Sequence, residues 1–168
     1  MQKDSEKCVI EWKSISFHFV NVLPRFGPIR EQRSKLSIMA VKKLTLSTLP
    51  HSYAVCRLDP NGHIPYWALL GDDFVSLTRT NTELSIVCLE ENVPAETRAE
   101  RGWRCIKVEG AFAFTIAGVH ASLAVPLAEA DISVLAIATF DTDHILVKDK
   151  DLEPALQVLA RAGHTVRS

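Results

Sequence analysis

The chain has no stretch of eighteen or more consecutive apolar residues, so no segment is long enough to cross a bilayer as a helix. Four cysteines are present, Cys8, Cys56, Cys88 and Cys105, and none forms a C-x-x-C pair. Zinc-finger and thioredoxin-like readings need thiols at such short fixed spacings and are set aside. Cys56, Cys88 and Cys105 lie inside apolar runs, which suits buried, reduced thiols and a cytoplasmic location. A formal net charge of −1 supplies no excess of positive charge, and nucleic-acid binding is not expected without one. Also missing are the G-x-S-x-G elbow, the P-loop, G-x-G-x-x-G and H-E-x-x-H. The histidines at 18, 51, 63, 120, 144 and 164 are scattered. Asp143 and His144 are adjacent, but neighbours on a strand point to opposite faces, so they do not make a catalytic pair. Asp141 and Asp143 together fall short of the several oxygens that a hard cation takes. No catalytic residue, no metal and no cofactor are expected.

What is present is the composition of a globular protein, with 47% hydrophobic and 23% charged residues over 168 positions. That length holds one ordinary domain or two small ones. Residues 1–38 carry seven Lys/Arg against four Asp/Glu, while the remainder carries twelve against sixteen. They show no lasting helical or strand period, and are read as a poorly ordered N-terminal extension to a domain starting near Met39. Their apolar piece, ISFHFVNVL at 15–23, is short and is followed by Pro24 and Pro28. It is not read as a secretory signal.

Past Met39 the pattern becomes regular. Residues 43–48 alternate as a strand, and 51–58 read as a second strand rich in residues that suit a pleated surface. Asp59-Pro60-Asn61-Gly62 is a turn, and residues 67–70 suggest one short helical turn. Two further strands at 74–78 and 84–89 follow, then a charged linker at 90–101 that reads as a solvated connection. The second half is cleaner. A strand at 103–109 precedes a helix over 118–130, with a bend at Pro126, which lacks an N–H to donate. Strands at 133–139 and 144–148 flank the polar tip Asp141-Thr142-Asp143. Asp151 is placed as the N-cap of a second helix and Gly163 as its C-cap, and a last short strand begins at 164. The order β-α-β-β-α-β is the ferredoxin-like one, with two helices on one face of an antiparallel sheet.

Three strings carry a family resemblance: FVSLTRTNTELSIVC at 74–88, VEGAFAFTIAGVHASLAVPLAEADISVLAIATFDTDHILVK at 108–148, and LARAGHTV at 159–166. They resemble small bacterial ACT-domain proteins and the modules of the tandem-ACT arginine sensors of eukaryotic nutrient signalling. The resemblance covers about residues 42–166 and is most specific over 132–148. It implies an α+β chain of two ferredoxin-like ACT modules, the first abbreviated at 39–94 and the second at 100–168.

The resemblance also implies a ligand pocket where two modules abut. Carried over, the loop after the first strand contributes Phe112, Ala113, Phe114, Thr115, Ile116 and Gly118, and the second strand and its tip contribute Thr139, Phe140, Asp141 and Asp143. Backbone N–H groups opening a helix suit a carboxylate, and an aspartate suits an amine or guanidinium. A plainer reading stands beside this one. Asp141-Thr142-Asp143 also suits a turn between strands, Phe112 and Phe114 suit core positions, and Gly118 suits a close helix start. The implied function is binding of an amino acid or similar small zwitterion by a non-catalytic regulatory module. Ligand would change its association as a homo-oligomer, with no nucleic-acid or membrane partner. The alternative is a dimerisation module whose pocket is degenerate and takes no ligand.

Overall fold

The computed structural model describes residues 43–110 and 118–167. The readings for residues 1–38, and the expected ligand-loop residues Phe112, Ala113, Phe114, Thr115 and Ile116, lie outside the described residues. The strands are β1 (Thr45–Leu58), β2 (Ser76–Arg79), β3 (Leu84–Leu89), β4 (Ala99–Val108), β5 (Leu135–Ala138), β6 (Asp143–Lys148) and β7 (Thr165–Arg167). The helices are α1 (Val119–Glu129) and α2 (Leu152–Arg161). From β4 onward the order is β-α-β-β-α-β, as expected. From β4 onward the mixed α+β architecture has the ferredoxin-like element order, two helices backing an antiparallel sheet.

One seven-stranded sheet runs β2-β3-β1-β4-β6-β5, with β7 added alongside β1. The expected pair of strands at 43–48 and 51–58 is instead the single strand β1. Pro50 at its middle is tolerated because the sheet makes no demand on it. On one side the register with β4 jumps from Thr48↔Ile106 to Ser52↔Arg104, a bulge that leaves Leu49, Pro50 and His51 opposite Cys105 alone. On the other side β1 pairs with β7 through Thr45–Ser47 and with β3 from Tyr53 onward, so Pro50 falls in the gap. A proline cannot donate to a ladder and is accommodated where none is needed. The start of β1 therefore lies between β4 and β7, where a simple four-stranded module would pair those two directly.

The helices cover one face. Leu46 of β1, Ile106 and Val108 of β4, and Ile145 and Val147 of β6 pack with Val119, Leu123 and Leu127 of α1 and Ala155 and Leu159 of α2. A second cluster, containing Ala54, Cys56, Ile86, Cys88 and Val93, fills the region between β1 and β3. The opposite face carries Tyr53, Val87, Leu89, Cys105 and Leu146, with Phe74 from the segment before β2 packed against them. Cys56, Cys88 and Cys105 are free and buried; burial pushes the Cys105 thiol up to about 12, where it is no nucleophile.

Pro126 does not end α1. Its missing N–H deprives the Ser122 carbonyl of the usual partner four residues on. The His164 ring fills that vacancy, with Nε2 at 3.0 Å from the Ser122 carbonyl oxygen. The Leu44 N–H donates to Nδ1 of the same ring at 3.3 Å. Since an amide N–H can only donate, Nδ1 accepts and Nε2 carries the proton. His164 thus pins the entry to β1, α1 and the end of α2 together. Gly163, which delivers it, has φ of 99°, a left-handed conformation that a side chain would strain. Asp151 occupies the N-cap of α2, as expected, and forms no side-chain capping bond there.

The charged segment between β3 and β4 is not a loose linker. Arg101 donates to the carbonyls of Glu90, Val93 and Pro94, at 3.4, 3.2 and 2.9 Å. Glu90 accepts from the Gly102 N–H at 2.7 Å. These charges satisfy backbone groups where the chain crosses β1.

Candidate functional site

The described members of the expected site are Gly118, Thr139, Phe140, Asp141 and Asp143. Gly118 precedes α1 with φ of 89°, and a Cβ built there would meet no described residue within 4 Å. Its left-handed φ favours glycine there. The first helical bond runs from the Ser122 N–H to the Gly118 carbonyl at 2.9 Å. Among the described residues no side chain caps this end, and no acidic residue sits in the first turn. Among the described residues the leading amides of α1, at the positive end of its dipole, thus have no side-chain partner.

Thr139 and Thr142 close the hairpin between β5 and β6. The Thr139 N–H and Oγ1 both donate to the Thr142 carbonyl, at 2.8 and 2.7 Å. The Thr142 N–H donates back to Thr139 Oγ1 at 3.2 Å. Thr142 Oγ1 donates to the Val108 carbonyl, anchoring the hairpin to the end of β4. Asp141 is exposed at the tip, and Phe140 is 77% exposed. The turn reading therefore holds for Thr139 and Thr142, and it leaves the carboxylate of Asp143 outside the turn's own bonds.

Asp143 opens β6 and shares the helix-covered face with Ile145 and Val147, two and four residues on. Its side chain is only 13% exposed, and its Oδ1 lies 3.3 Å from Nε2 of His120 in the first turn of α1. Asp143 and the start of α1, which Gly118 precedes, are thereby brought to one end of the sheet. Sequence reasoning placed His120 on the helix but missed this contact. The signal was there: a helix start and a strand start on the same face, with an imidazole and a carboxylate at them.

His144 points the other way, as expected. Its ring stacks on Phe74, centroid to centroid at 4.3 Å and 20° between planes. Phe74 in turn meets Tyr53 edge-on at 6.0 Å. Tyr53 Oη donates to Asp73 Oδ1 at 2.8 Å, holding the loop before β2 against the sheet. Burial holds the His144 imidazole below its ordinary pKa; Lys107 acts in the same direction and Asp143 opposes. The folded chain then binds fewer protons at this ring than the unfolded chain does. Stability gained at this site is present above the free-imidazole value of about 6.5 and falls as pH drops below it. We expect the urea midpoint to decline on acidification from pH 7 to 5, and the decline to be shallower in His144→Phe, which keeps a ring on Phe74.

A separate groove of about 680 Å³ lies at the β1 bulge, lined by Pro50, His51, Ser52, Glu90, Glu91, Val93, Ala95 and Arg101. None of the expected site residues lines it, and the Arg101 donors are directed at the backbone carbonyls described above. Among the described residues no group of three or more His, Cys, Asp or Glu is placed to hold a metal ion. No helix among them is long and apolar enough to cross a membrane.

Comparison with known proteins adds to this geometry. The ACT domain model matches residues 98–161, and a model described as an N-terminal domain matches residues 51–96. The cytosolic arginine sensor for mTORC1 subunit 1 from Bos taurus is 36% identical over 99 residues, covering 52% of this chain and 30% of that protein. The chain thus spans less than a third of the length of that curated relative. A solved structure of a protein from Agobacterium tumefaciens is 43% identical with a TM-score of 0.70, covering 74% of this chain and 92% of that one. The ligand-free regulatory subunit of aspartate kinase from Thermus thermophilus has a TM-score of 0.50 at 11% identity, covering 67% of this chain and 93% of that one. At that identity it shares the fold alone.

Proposed function

Since the chain belongs to the ACT-domain family, we propose that it is a regulatory module that binds an amino acid and acts by a ligand-linked change in its own association. In this reading residues 39–94 and 100–168 act as two ACT-type modules and neither is catalytic. The protein works as a cytoplasmic homo-oligomer. The observation that carries the proposal is the meeting of opposite electrostatic features at one end of the sheet. The start of α1, which no described side chain caps, offers N–H donors to a carboxylate, and Asp143, with its side chain largely shielded from water, offers a carboxylate to a cation. A zwitterion presents both complements. Gly118, Thr139, Phe140, Asp141 and Asp143 form the described part of the site, and Phe112, Ala113, Phe114, Thr115 and Ile116 complete it on the family resemblance. The arginine sensor, 36% identical over 99 residues, supports the reading through its name.

Ligand binding stabilises the state that binds it by mass action, and regulation follows where two association states differ in affinity. A thermal-shift screen with the twenty amino acids tests the proposal. A ligand at a hundred times its dissociation constant adds about 2.7 kcal/mol, an upward shift of several degrees for a chain of this size. Light scattering with and without that ligand then reports the change in association. No shift with any of the twenty would remove the proposal.

A further inference from the structure

We infer that His120 is a specificity-determining residue of this site, an internal partner that occupies Asp143 until a ligand's ammonium or guanidinium group displaces it. The inference rests on the amino-acid-binding reading above. Its observation is the 3.3 Å approach of His120 Nε2 to Asp143 Oδ1, between an imidazole 53% exposed and a carboxylate 13% exposed. A carboxylate so shielded needs a partner, and the partner present is attached to the same helix whose leading amides would hold the ligand's carboxylate. The ligand's cationic group and the imidazolium compete for the same oxygens. The imidazole is the more readily moved, because half of it is already in water and it is attached at the helix's first turn.

The competition has two consequences. Ligands lacking a cationic group leave the His120–Asp143 contact intact and gain nothing from Asp143, so the site selects for one. The second consequence is a dependence on pH. His120 competes as a charge only when it is protonated, whereas the carboxylate and the amine of a free amino acid such as arginine or alanine keep their charges between about pH 5.5 and 8.0. Lys107 on β4 and Glu109 just past its end are paired with each other at 3.8 Å, Arg104 pairs with Asp149 and Lys148 with Glu100, and Arg101 donates to backbone carbonyls. On β6, His144 faces the opposite side and stacks on Phe74. Asp141 is exposed in the hairpin. The His164 ring, which follows α2, is committed to Ser122 and Leu44. On the helices themselves Glu153 lies in the first turn of α2 and Arg161 in its last, and Glu129 ends α1.

Calorimetric titration of the full chain with L-arginine and with L-alanine at pH 5.5 and pH 8.0 tests the inference, beside His120→Gln, with circular dichroism melting to confirm that the variant folds. Wild type should bind about two- to fivefold more tightly at pH 8.0, the range expected of a half-exposed ion pair. His120→Gln should lose that dependence and bind at pH 5.5 about as tightly as wild type does at pH 8.0. Binding that ignores pH, or a pH dependence retained in the variant, would overturn the inference and leave the amino-acid-binding reading standing. Binding of neither ligand by either chain, together with a silent thermal-shift screen, would overturn both.

Discussion

Leu46→Ala should lower the stability of the chain by about 3 kcal/mol, within the roughly 2–5 kcal/mol range measured for emptying a fully buried leucine position. Leu46 is 0% exposed. It lies on the stretch of β1 that separates β4 from β7, opposite Val108 on one side and Val166 on the other. Its side chain enters the cluster formed with Ile106, Leu123, Leu127 and Leu159. Two strands and two helices hold their positions around it, so the space left by the deleted atoms cannot readily close. Leu77 on the edge strand β2 provides the contrast, because it is 39% exposed and Leu77→Ala should change stability by no more than about 0.5 kcal/mol. Guanidinium titration of both variants checks the pair. A cost below about 1 kcal/mol for Leu46→Ala would mean that the start of β1 is not part of the helix-backed core.

That position also shows what could and could not be read from the residues. The β-α-β-β-α-β order after residue 99 was legible because each element carries its own punctuation: Gly118, the apolar run before Ala138, the threonine-aspartate tip, and Gly163. The continuity of β1 was not legible. Pro50 normally argues against a strand interior, and its tolerance depends on a bulge against β4 and a gap between β7 and β3, both set by partners far away in the chain. The persistence of α1 through Pro126 likewise depends on His164, 42 positions from Ser122. A proline inside a helix does announce an orphaned carbonyl four residues earlier, and a buried histidine is a suitable donor to it, but sequence order does not say which one. The charges of residues 90–101 read as solvated, whereas Arg101 donates to backbone carbonyls and Glu90 accepts from a backbone N–H, partners that a side-chain pattern does not reveal. At the site, Asp143 was found through family resemblance and the opposite orientation of His144 through strand alternation. The His120 contact required coordinates.

Asp143→Ala carries the largest expected effect on function. If Asp143 pairs with the cationic group of an amino acid, its truncation leaves that group without a partner in a site largely shielded from water. Such losses run to about 2–4 kcal/mol of affinity, or roughly 30- to 1000-fold in dissociation constant. Stability should change much less. The Asp143 contact with His120 is half exposed and contributes at most about 1 kcal/mol, while the hairpin's own bonds belong to Thr139 and Thr142. The variant should therefore fold, keep its melting temperature within a few degrees, and fail to bind. Asp143→Asn, which keeps the shape and removes the charge, should show most of the same loss. A residue serving only the turn would behave in the opposite manner, with affinity retained and stability lowered by about 1 kcal/mol.

The measurement that reaches the central claim most directly is a calorimetric titration of the wild-type and Asp143→Ala chains with the amino acid giving the largest thermal shift. Saturable binding to wild type, weakened at least about thirtyfold in a variant that still melts cooperatively, is the predicted result. Equal dissociation constants for the two folded chains would contradict it.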